Sequence, residues 1–370
     1  MNRFKAAFVC PSRSWGGLEM NVFKQCRWLA EKNFPVLLYC YPDSTLHEQA
    51  ATHNLLFRPL ASKSKLGDLF LARNLAKSLN DEKIKTALFH LNKNFPLLMT
   101  VKLMMSKQLS LIYMQHMHLG GIKKDMYHNY LYKNLDCWIT PLEKFAEQLR
   151  SRTNIAPEKI RVVPFGIELE RFTQVSYSQR EAREKLSLPL DKKIVGFIGR
   201  FDPQKNQHLL IEAVGRIKQD IDILLVGDYS KNEEFGYEKQ VRMVIDKYNL
   251  SQRVQILQHI ENIETAYKAL DIFCLTTGSE TFGMVTIEAM ASKLPVVASD
   301  QGGTLEIIQD RVNGLLYKSE DTDDLKKKLT LLLENDPLRK AIAEQGYHDA
   351  LAKYSHSVQI EKLMKIMDEL

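Results

Sequence analysis

Apolar runs and amphipathic patterns alternate along almost the whole chain. In the first half, the runs FKAAFVC, VLLYCY and TALFHL are separated by stretches with apolar residues at helical spacing, among them 18–31 and 68–78. The runs SLIYMQ, CWIT and IRVVP continue this alternation to about residue 165. Short apolar strands that alternate with helices are typical of a doubly wound parallel sheet. The sequence therefore predicts an α/β fold.

A polar segment separates this first alternation from a second one. The run IVGFIG, which begins at Ile194, starts a new series of strand and helix patterns, and a chain of 370 residues is long enough for two cores. We therefore predict a first domain over 1–172, a linker over 173–191 and a second domain over 192–350. A closing helical segment follows over 351–370.

The stretch TTGSETFGMVTIEAMASKLPVVASDQGG, residues 276–303, follows an apolar run and predicts a loop, a helix and a second strand. In a parallel sheet such a loop lies at the carboxyl edge, where ligands of open α/β folds bind, and the helix start offers unpaired N–H groups to an anion. Glu280 lies in the loop and Glu288 lies one turn into the helix. Beside an anion site these carboxylates suit hydroxyl groups, so the stretch predicts a ligand with phosphate and polyol groups. The alternative is a solvated loop acid and a first-turn acid favoured by the helix dipole.

A second loop of the same kind follows the IVGFIG run. It carries Arg200 and, five residues later, Lys205, just before an amphipathic helix. Two cations fixed in one strand-to-helix loop suit a diphosphate, because they neutralise its charge and stabilise it as a leaving group. The alternative is a pair of surface cations at a turn.

In the first half, a glycine pair and a histidine pair also follow predicted strands. Gly16 and Gly17 open a helix without forming a GxGxxG fingerprint, so they either allow close approach of a ligand or serve a tight turn. His116 and His118 follow the SLIYMQ strand. A histidine pair in a loop is often a surface or packing feature, and no third ligand close in sequence supports a zinc site.

Charge is unevenly distributed between the two halves. Lys and Arg exceed Asp and Glu by about 11 in residues 1–160, whereas the rest carries about −5, which together give the net charge of +6. Lys123 and Lys124 lie beside the histidine pair and could meet a phosphorylated acceptor or an anionic membrane surface, or could simply be solvated. No helix-turn-helix, zinc finger or basic-aromatic pattern indicates nucleic acid.

Composition adds few constraints. The five cysteines form no CxxC pair and lie mostly in apolar runs, which predicts buried thiols in a reducing compartment. The first apolar run is too short for a signal peptide and no run approaches a membrane span, so we expect a cytoplasmic protein. Asp321 and Asp323 precede a Leu/Lys helix and predict a helix cap rather than a metal site.

Several of these strings together resemble one family. The string SETFG, followed after a short interval by EAMA and PVVA, resembles the donor-site signature of retaining glycosyltransferases of the GT-B fold, family four, also called glycosyl transferases group 1. The GR-x4-K spacing at Arg200 and Lys205 resembles a second part of that signature. The string RVVPFGIELERF resembles the family's pre-linker sequence, but has Phe165 in place of Asn and Glu168 in place of Asp. Asn206 replaces a glycine that is usual in the family.

The resemblance implies a fold and a site. The fold would consist of two Rossmann-like domains that face each other across a cleft, with the last helix packed back toward the first domain. Catalysis would involve Glu280, His116, Arg200 and Lys205, with Glu280 and His116 on the transferred sugar and the two cations on the diphosphate. The implied donor-binding positions are Gly16, Gly17, Gly199, Phe282, Gly283, Met284, Val285, Glu288, His259 and Ile260. The acceptor side would include His118, Lys123 and Lys124.

The resemblance also implies a reaction. It would move a hexose with retention of anomeric configuration, without metal or cofactor, from a UDP-sugar or alternatively GDP-mannose to a glycan or lipid-linked acceptor. Cell-surface polysaccharide or lipopolysaccharide synthesis at the inner membrane face would be the setting. The alternatives are an epimerase-like or phosphorylase enzyme, and a non-catalytic protein that binds nucleotide sugars.

Overall fold

The computed structural model describes residues 4–60, 67–106, 108–228, 236–258, 260–278 and 280–370. The chain forms two compact units: Met1–Pro164 together with His356–Leu370, and Phe165–Ser355. This division differs from the predicted boundaries at 172 and 191, since the whole segment 173–191 belongs to the second unit and contains a helix, Gln179–Lys185.

The first unit is built on a seven-stranded sheet whose strands all pair in parallel. The strands are β1 (Ala6–Cys10), β2 (Val36–Cys40), β3 (Phe57–Pro59), β4 (Thr86–Phe89), β5 (Ser110–Met114), β6 (Cys137–Thr140) and β7 (Ile160–Val162). Their order is β3-β2-β1-β4-β5-β6-β7, so the direction in which strands are added reverses between β1 and β4. Loops that follow these two strands therefore flank a topological switch point.

Helices connect and cover this sheet. They are α1 (Gly17–Glu31), α2 (Thr45–Thr52), α3 (Gly67–Asp81), α4 (Phe95–Met104), α5 (Met126–Lys133), α6 (Glu143–Arg152) and α16 (His356–Glu369). Short 3-10 helices cover Asn92–Asn94 and Pro157–Lys159. One aromatic cluster, which includes Phe95, Tyr113 and Trp138, fills the core between the sheet and its helices. Helix α16 packs on α1, where the rings of Trp28 and His356 lie 5.2 Å apart.

The second unit repeats the design with six parallel strands. The strands are β8 (Lys193–Ile198), β9 (Ile221–Val226), β10 (Val254–Leu257), β11 (Ile272–Leu275), β12 (Val296–Ser299) and β13 (Leu315–Tyr317). The order β10-β9-β8-β11-β12-β13 places the switch point between β8 and β11. The helices are α7 (Glu170–Thr173), α8 (Gln179–Lys185), α9 (Gln207–Gly215), α10 (Gly236–Lys247), α11 (Ile263–Ala269), α12 (Met284–Ala291), α13 (Thr304–Ile307), α14 (Thr322–Glu334) and α15 (Asp336–Lys353), with a 3-10 helix over Pro203–Lys205.

A buried ion pair explains why the expected linker is part of the second unit. The Arg183 side chain on α8 is 5% exposed and donates to Asp271 Oδ2 at 2.6 Å and to the Ala269 carbonyl at 2.9 Å. Asp271 also accepts a hydrogen bond from the Ile194 amide at the start of β8. A buried charge needs such partners, so α8 is held against the sheet instead of spanning two domains.

The doubly wound α/β prediction is confirmed in both units. The predicted segments 18–31 and 68–78 fall within α1 and α3, and all five cysteines are buried free thiols. Helices α2, α4 and α5 and strand β3 were not predicted from the sequence. Among the described residues, no helix has the length and apolar character needed to cross a membrane.

Candidate functional site

Two loops meet at the switch point of the second sheet. One runs from β8 to α9 and the other from β11 to α12, and β8 and β11 are neighbours in the sheet. The Thr276 hydroxyl donates to the Lys205 carbonyl at 2.8 Å, and the Gly278 amide donates to the Gln204 carbonyl at 3.0 Å. The two loops whose chemistry the sequence singled out are therefore bonded to each other.

The conformation of the first loop depends on a left-handed residue. Asn206 has φ 51° and ψ 36°, in the region that asparagine tolerates better than most side chains. The Asp202 carboxylate caps the 3-10 turn by accepting from the Gln204 amide at 2.9 Å. Gln207 Nε2 donates to the Arg200 carbonyl at 2.8 Å. An asparagine can therefore stand where the resembled family usually has glycine.

A glycine pair after β12 supports the second loop. Gly302 has φ +64°, and a Cβ atom there would lie 2.1 Å from the Glu280 carbonyl oxygen. The Gly303 amide donates to that same carbonyl at 2.8 Å, and a Cβ on Gly303 would lie 2.7 Å from the Phe282 carbonyl oxygen. Only glycine permits this approach, which fixes the backbone of the loop at Glu280.

The structure brings Lys205 and Glu280 together. Lys205 Nζ lies 2.8 Å from Glu280 Oε2, and the two side chains are 24% and 15% exposed. The sequence pattern predicts contacts of the two groups with different parts of one ligand, and the ion pair between them is not predicted by it. Arg200, by contrast, is 64% exposed, and its guanidinium lies 3.7 Å from the Asp202 carboxylate. Partial burial makes the Lys205–Glu280 pair a stronger interaction than an exposed one.

Helix α12 begins beside this pair. Gly283 is its N-cap residue, with φ 101° and ψ 48°, and a glycine has no side chain with which to cap the helix. The N-terminal amides, including those of Met284 and Val285, carry the positive end of the helix dipole. This end of the helix is suited to an anion.

Glu288, one turn further along α12, is held by a tyrosine from α11. The Tyr267 hydroxyl donates to Glu288 Oε2 at 2.7 Å, and the Tyr267 side chain is fully buried. Burial and the nearby Glu288 charge raise the pKa of Tyr267 well above its usual value, so the hydroxyl stays a donor. Nothing in the sequence distinguishes Tyr267 from an ordinary core position on an amphipathic helix.

Phe282 is buried in the second unit. Its side chain is 3% exposed and packs on the rings of Phe165 and Tyr354, with centroid distances of 5.1 and 6.2 Å. The Phe282 ring is therefore part of the core, and the predicted part of this position in donor binding stays a prediction. The packing also explains why Phe165 occurs where the resembled family has a polar residue.

Two other predicted donor positions, Gly199 and Ile260, follow β8 and β10. The Gly199 amide donates to the Val226 carbonyl at 2.8 Å, and a Cβ on Gly227 would lie 2.1 Å from the Gly199 carbonyl oxygen. Ile260 is half-buried. His259 lies outside the described residues, so its predicted contact with the nucleobase stays a prediction.

In the first unit, Gly16 and Gly17 open α1 beside a buried acid. Glu19 is 5% exposed, and its carboxylate accepts from the Ser12 hydroxyl at 2.6 Å and from the Gly16 amide at 3.1 Å. A Cβ on Gly17 would meet no other atom within 4 Å. Packing therefore does not demand a glycine at position 17. Glu19 could not be recognised from the sequence as a functional residue, because an acid in the first turn of a helix is common.

His116 and His118, the two histidines after β5, lie in different environments. His116 Nε2 lies 2.8 Å from Nδ1 of His90, which directly follows β4. Burial lowers the pKa of His116 to about 3, and burial with the neighbouring His116 lowers the pKa of His90 well below its usual value. His118 is exposed, with its ring 4.6 Å from that of Phe145. Both rings of the His90–His116 pair are therefore neutral at physiological pH.

The predicted acceptor-side lysines lie in the loop before α5. The Lys123 amide donates to the Arg152 carbonyl at 2.8 Å, and the Lys123 side chain lines a cavity of about 260 Å³ together with Tyr127 and His128. Lys124 is exposed. In the part of the chain that the structure describes, no group of three or more His, Cys, Asp or Glu side chains could hold a metal ion.

The helix cap predicted at Asp321 is confirmed. Its carboxylate accepts from the Asp324 amide at 3.0 Å at the start of α14. Asp323 instead pairs with Arg216, with an oxygen-to-nitrogen distance of 3.0 Å.

Two doubly wound parallel units, each with polar loops at its switch point, define the GT-B fold. The solved structure of HepE from Anabaena, in complex with UDP, has this fold and matches with a TM-score of 0.87 at 20% identity over 99% of this chain and 100% of that chain. A glycosyltransferase from Rickettsia africae matches with a TM-score of 0.88 at 21% identity over 100% and 99% of the two chains.

Family models place the sequence within this class. Residues 178–349 match the model "Glycosyl transferases group 1", and residues 15–171 match the model "Glycosyltransferase Family 4". The chain belongs to this glycosyltransferase family. It is 34% identical over 227 residues to the D-inositol 3-phosphate glycosyltransferase of Mycolicibacterium smegmatis, covering 60% of this chain and 51% of the relative. The chain thus spans about half the length of the curated relatives it matches.

Proposed function

We propose that this protein is a glycosyltransferase that moves a sugar from a nucleoside diphosphate to a hydroxyl group of an acceptor. The observation that carries the proposal is the bonded pair of loops in the second unit, where Lys205 and Glu280 lie 2.8 Å apart beside the start of α12. A cation, a carboxylate and a helix N-terminus at one sheet edge fit a ligand that is both a diphosphate and a sugar.

Each group has a separate part in this proposal. Arg200 and Lys205, with the amides of Met284 and Val285, bind the diphosphate. Glu288, oriented by Tyr267, accepts hydrogen bonds from the ribose hydroxyls. These are interactions at the phosphate and ribose, so they position the donor and stabilise the charge that develops on it.

The carboxylate and the histidine act on the sugar. Glu280 binds hydroxyl groups of the transferred hexose, and His116 contacts the sugar near its reacting face. When a diphosphate is bound, Lys205 exchanges part of its attraction to Glu280 for the phosphate, which frees Glu280 to accept from the hexose. The present ion pair keeps both charges compensated before the donor arrives.

The reaction breaks the bond between the anomeric carbon and the phosphate oxygen, and the electron pair leaves with the diphosphate. The acceptor oxygen forms the new bond, and its proton passes to the departing phosphate. We propose retention of anomeric configuration and a reaction without metal, because Arg200, Lys205 and the helix start supply positive charge at the leaving group. Proton NMR of the anomeric signal of the glycoside product, compared with that of the donor, tests retention, because the new glycosidic bond does not mutarotate.

For the donor we propose a UDP-sugar, with GDP-mannose as the alternative. The structural neighbour HepE was solved in complex with UDP, which supports the choice of uracil. Calorimetric titration of UDP, GDP and ADP into the wild-type protein, the Arg200→Ala/Lys205→Ala double variant and Glu288→Ala tests it. We expect binding of UDP at micromolar strength and its loss in the variants. Failure of all three nucleotides to bind a folded protein would contradict the proposal and favour a non-catalytic protein.

For the acceptor we propose a glycan or a lipid-linked sugar of cell-surface polysaccharide or lipopolysaccharide synthesis. The M. smegmatis relative is named for a phosphorylated inositol, so a phosphate on the acceptor is a second possibility that Lys123 and Lys124 would suit. Product mass spectrometry with a lipid-linked glycan and with inositol phosphate as competing acceptors distinguishes them.

We also propose that the first unit binds an anionic membrane surface from the cytoplasmic side. Ile122, Met126 and Tyr127 are 74%, 90% and 56% exposed, and they lie in sequence beside Lys123 and Lys124. Exposed apolar side chains with adjacent cations are suited to an anionic interface. Sedimentation with vesicles of phosphatidylglycerol, with neutral phosphatidylcholine vesicles as the control, tests this; equal recovery from both would contradict it.

A further inference from the structure

A second histidine, His90, lies next to His116. His90 directly follows β4 and His116 lies two residues beyond β5, and these neighbouring strands pair with Phe89 opposite Tyr113. The register therefore brings both rings to the same edge of the first sheet. Their centroids are 5.0 Å apart and His90 Nδ1 lies 2.8 Å from His116 Nε2.

His90 is enclosed by the fold. Its side chain is 2% exposed, and its ring stacks on Phe8 with a centroid distance of 6.0 Å and an interplanar angle of 28°. Its Nε2 has no hydrogen-bond partner among the described residues, although it is buried. Burial of a polar nitrogen without a partner destabilises a protein, so this ring is not explained by its own packing.

The hydrogen bond to His116 has a chemical consequence. Both rings are neutral, so one imidazole donates its N–H and the other accepts with a bare nitrogen. Because His90 Nε2 is buried without a partner in the described part of the chain, the His90 tautomer with its proton on Nδ1 is favoured, since it leaves no buried N–H group of this ring unpaired. His90 Nδ1 then donates to His116 Nε2, and the proton of His116 lies on its own Nδ1. His116 is half-buried, and its Nε2 lies at hydrogen-bond distance from the buried His90 ring.

We propose that His90 is a positioning residue for the transfer reaction, which fixes the ring orientation and the tautomer of His116. The inference rests on the proposed function, in which His116 contacts the transferred sugar. His90 itself does not touch the substrate. It acts through the hydrogen bond that it shares with His116.

Two substitutions separate the hydrogen bond from the packing. His90→Asn places an amide atom near the position of Nδ1 and so retains the hydrogen bond to His116. His90→Phe retains the stack on Phe8 but removes that hydrogen bond. We expect His90→Phe to lower kcat about tenfold or more with the donor KM within about twofold of wild type, and His90→Asn to recover most of the loss. His348→Phe, which replaces an exposed histidine on α15, is the matched control.

Nitrogen-15 NMR of the His116 ring tests the positioning directly and needs no activity. We expect one dominant tautomer in wild type and His90→Asn, and a mixed population in His90→Phe. An unchanged His116 spectrum in folded His90→Phe would overturn the inference, as would a changed spectrum with unchanged kcat. If wild type transfers no sugar while the His116 spectrum responds to His90, the proposed function fails and the coupling of the two rings stands.

Discussion

At the scale of single residues, the proposed ligand-binding side chains depend on buried residues that hydrogen-bond to them. Tyr267 holds Glu288, and His90 holds His116, in each case through one hydrogen bond of 2.7 or 2.8 Å. Tyr267 and His90 are both at most 2% exposed. Their contribution is to fix the orientation of a functional side chain before the ligand arrives, which reduces the entropy lost on binding.

Tyr267→Phe tests this for the nucleotide. The variant keeps the ring and removes the hydroxyl that donates to Glu288, so we expect UDP to bind about three- to tenfold more weakly, the value of one ordinary hydrogen bond. Calorimetry measures the change. Tyr248→Phe is the control, because the Tyr248 hydroxyl donates to Glu212, a residue with no proposed part in the site. Equal UDP affinity in wild type and Tyr267→Phe would show that Glu288 needs no support.

The half-buried His116 makes the free energy of unfolding depend on pH. Its pKa is about 3 in the folded protein against 6.5 for an ordinary histidine, so between these values the unfolded state binds more protons. The free energy of unfolding is therefore lowered as pH falls from 6.5 toward 3, by up to about 1.4 kcal/mol per pH unit for this group. Urea unfolding of wild type and His116→Asn at pH 7, 6 and 5 measures the effect. We expect the difference between the two proteins to change with pH in favour of the variant, and a constant difference would contradict the assignment.

At the scale of elements, the Gly302-Gly303 turn and the loop at Glu280 form one unit. In Gly302→Ala the new Cβ would meet the Glu280 carbonyl, and φ +64° is unfavourable for alanine. We expect a displaced loop, a loss of UDP affinity of at least about tenfold, and a stability loss of roughly 1–3 kcal/mol. Calorimetry measures the UDP affinity, and urea unfolding measures the stability.

Gly236→Ala is the control for this prediction. Gly236 begins α10, and a Cβ there meets nothing within 4 Å. We expect Gly236→Ala to leave both the UDP affinity and the free energy of unfolding close to their wild-type values. If Gly302→Ala behaved in the same way, the contact between the turn and the Glu280 loop would have no role in the site.

Much of the fold could be predicted at this scale, because strands and helices leave periodic patterns. The loops after β8 and β11 could also be placed at the ligand edge of a sheet, since parallel strands end there. The direct contact between Lys205 and Glu280 could not be predicted from the sequence, because the two residues are 75 positions apart and only the strand order brings their loops together. Tyr267 and His90 were missed for another reason: a buried polar ring in an apolar segment has the same pattern as core.

At the scale of the whole molecule, the first unit is built from two separate parts of the chain. Helix α16 contributes fully buried Ile360 and Leu363 to a unit whose strands all come from residues before 165. The expected closing segment 351–370 is divided by this arrangement, because residues up to Ser355 belong to the second unit.

Leu363→Ala measures how much α16 stabilises the first unit. A fully buried leucine is replaced by alanine, so we expect a loss of about 2–5 kcal/mol in the free energy of unfolding. Leu351→Ala, at a position 38% exposed on α15, should change it by less than about 0.5 to 1 kcal/mol. Urea unfolding followed by tryptophan fluorescence measures this, because all three tryptophans lie in the first unit and one of them, Trp28, packs against His356 of α16. Similar effects of the two substitutions would mean that α16 is only loosely attached.

The chain leaves the first unit at Pro164 and returns to it at His356, so the second unit is an insertion within the first. Its two ends are joined: Ile167 and Ser355 form a β-bridge, and the Ile167 amide donates to the Tyr354 carbonyl at 2.9 Å. An insertion with adjacent ends can complete its own structure without help from its host. During translation the first unit begins first but is completed second, because its last helix leaves the ribosome only after the entire inserted unit has been made.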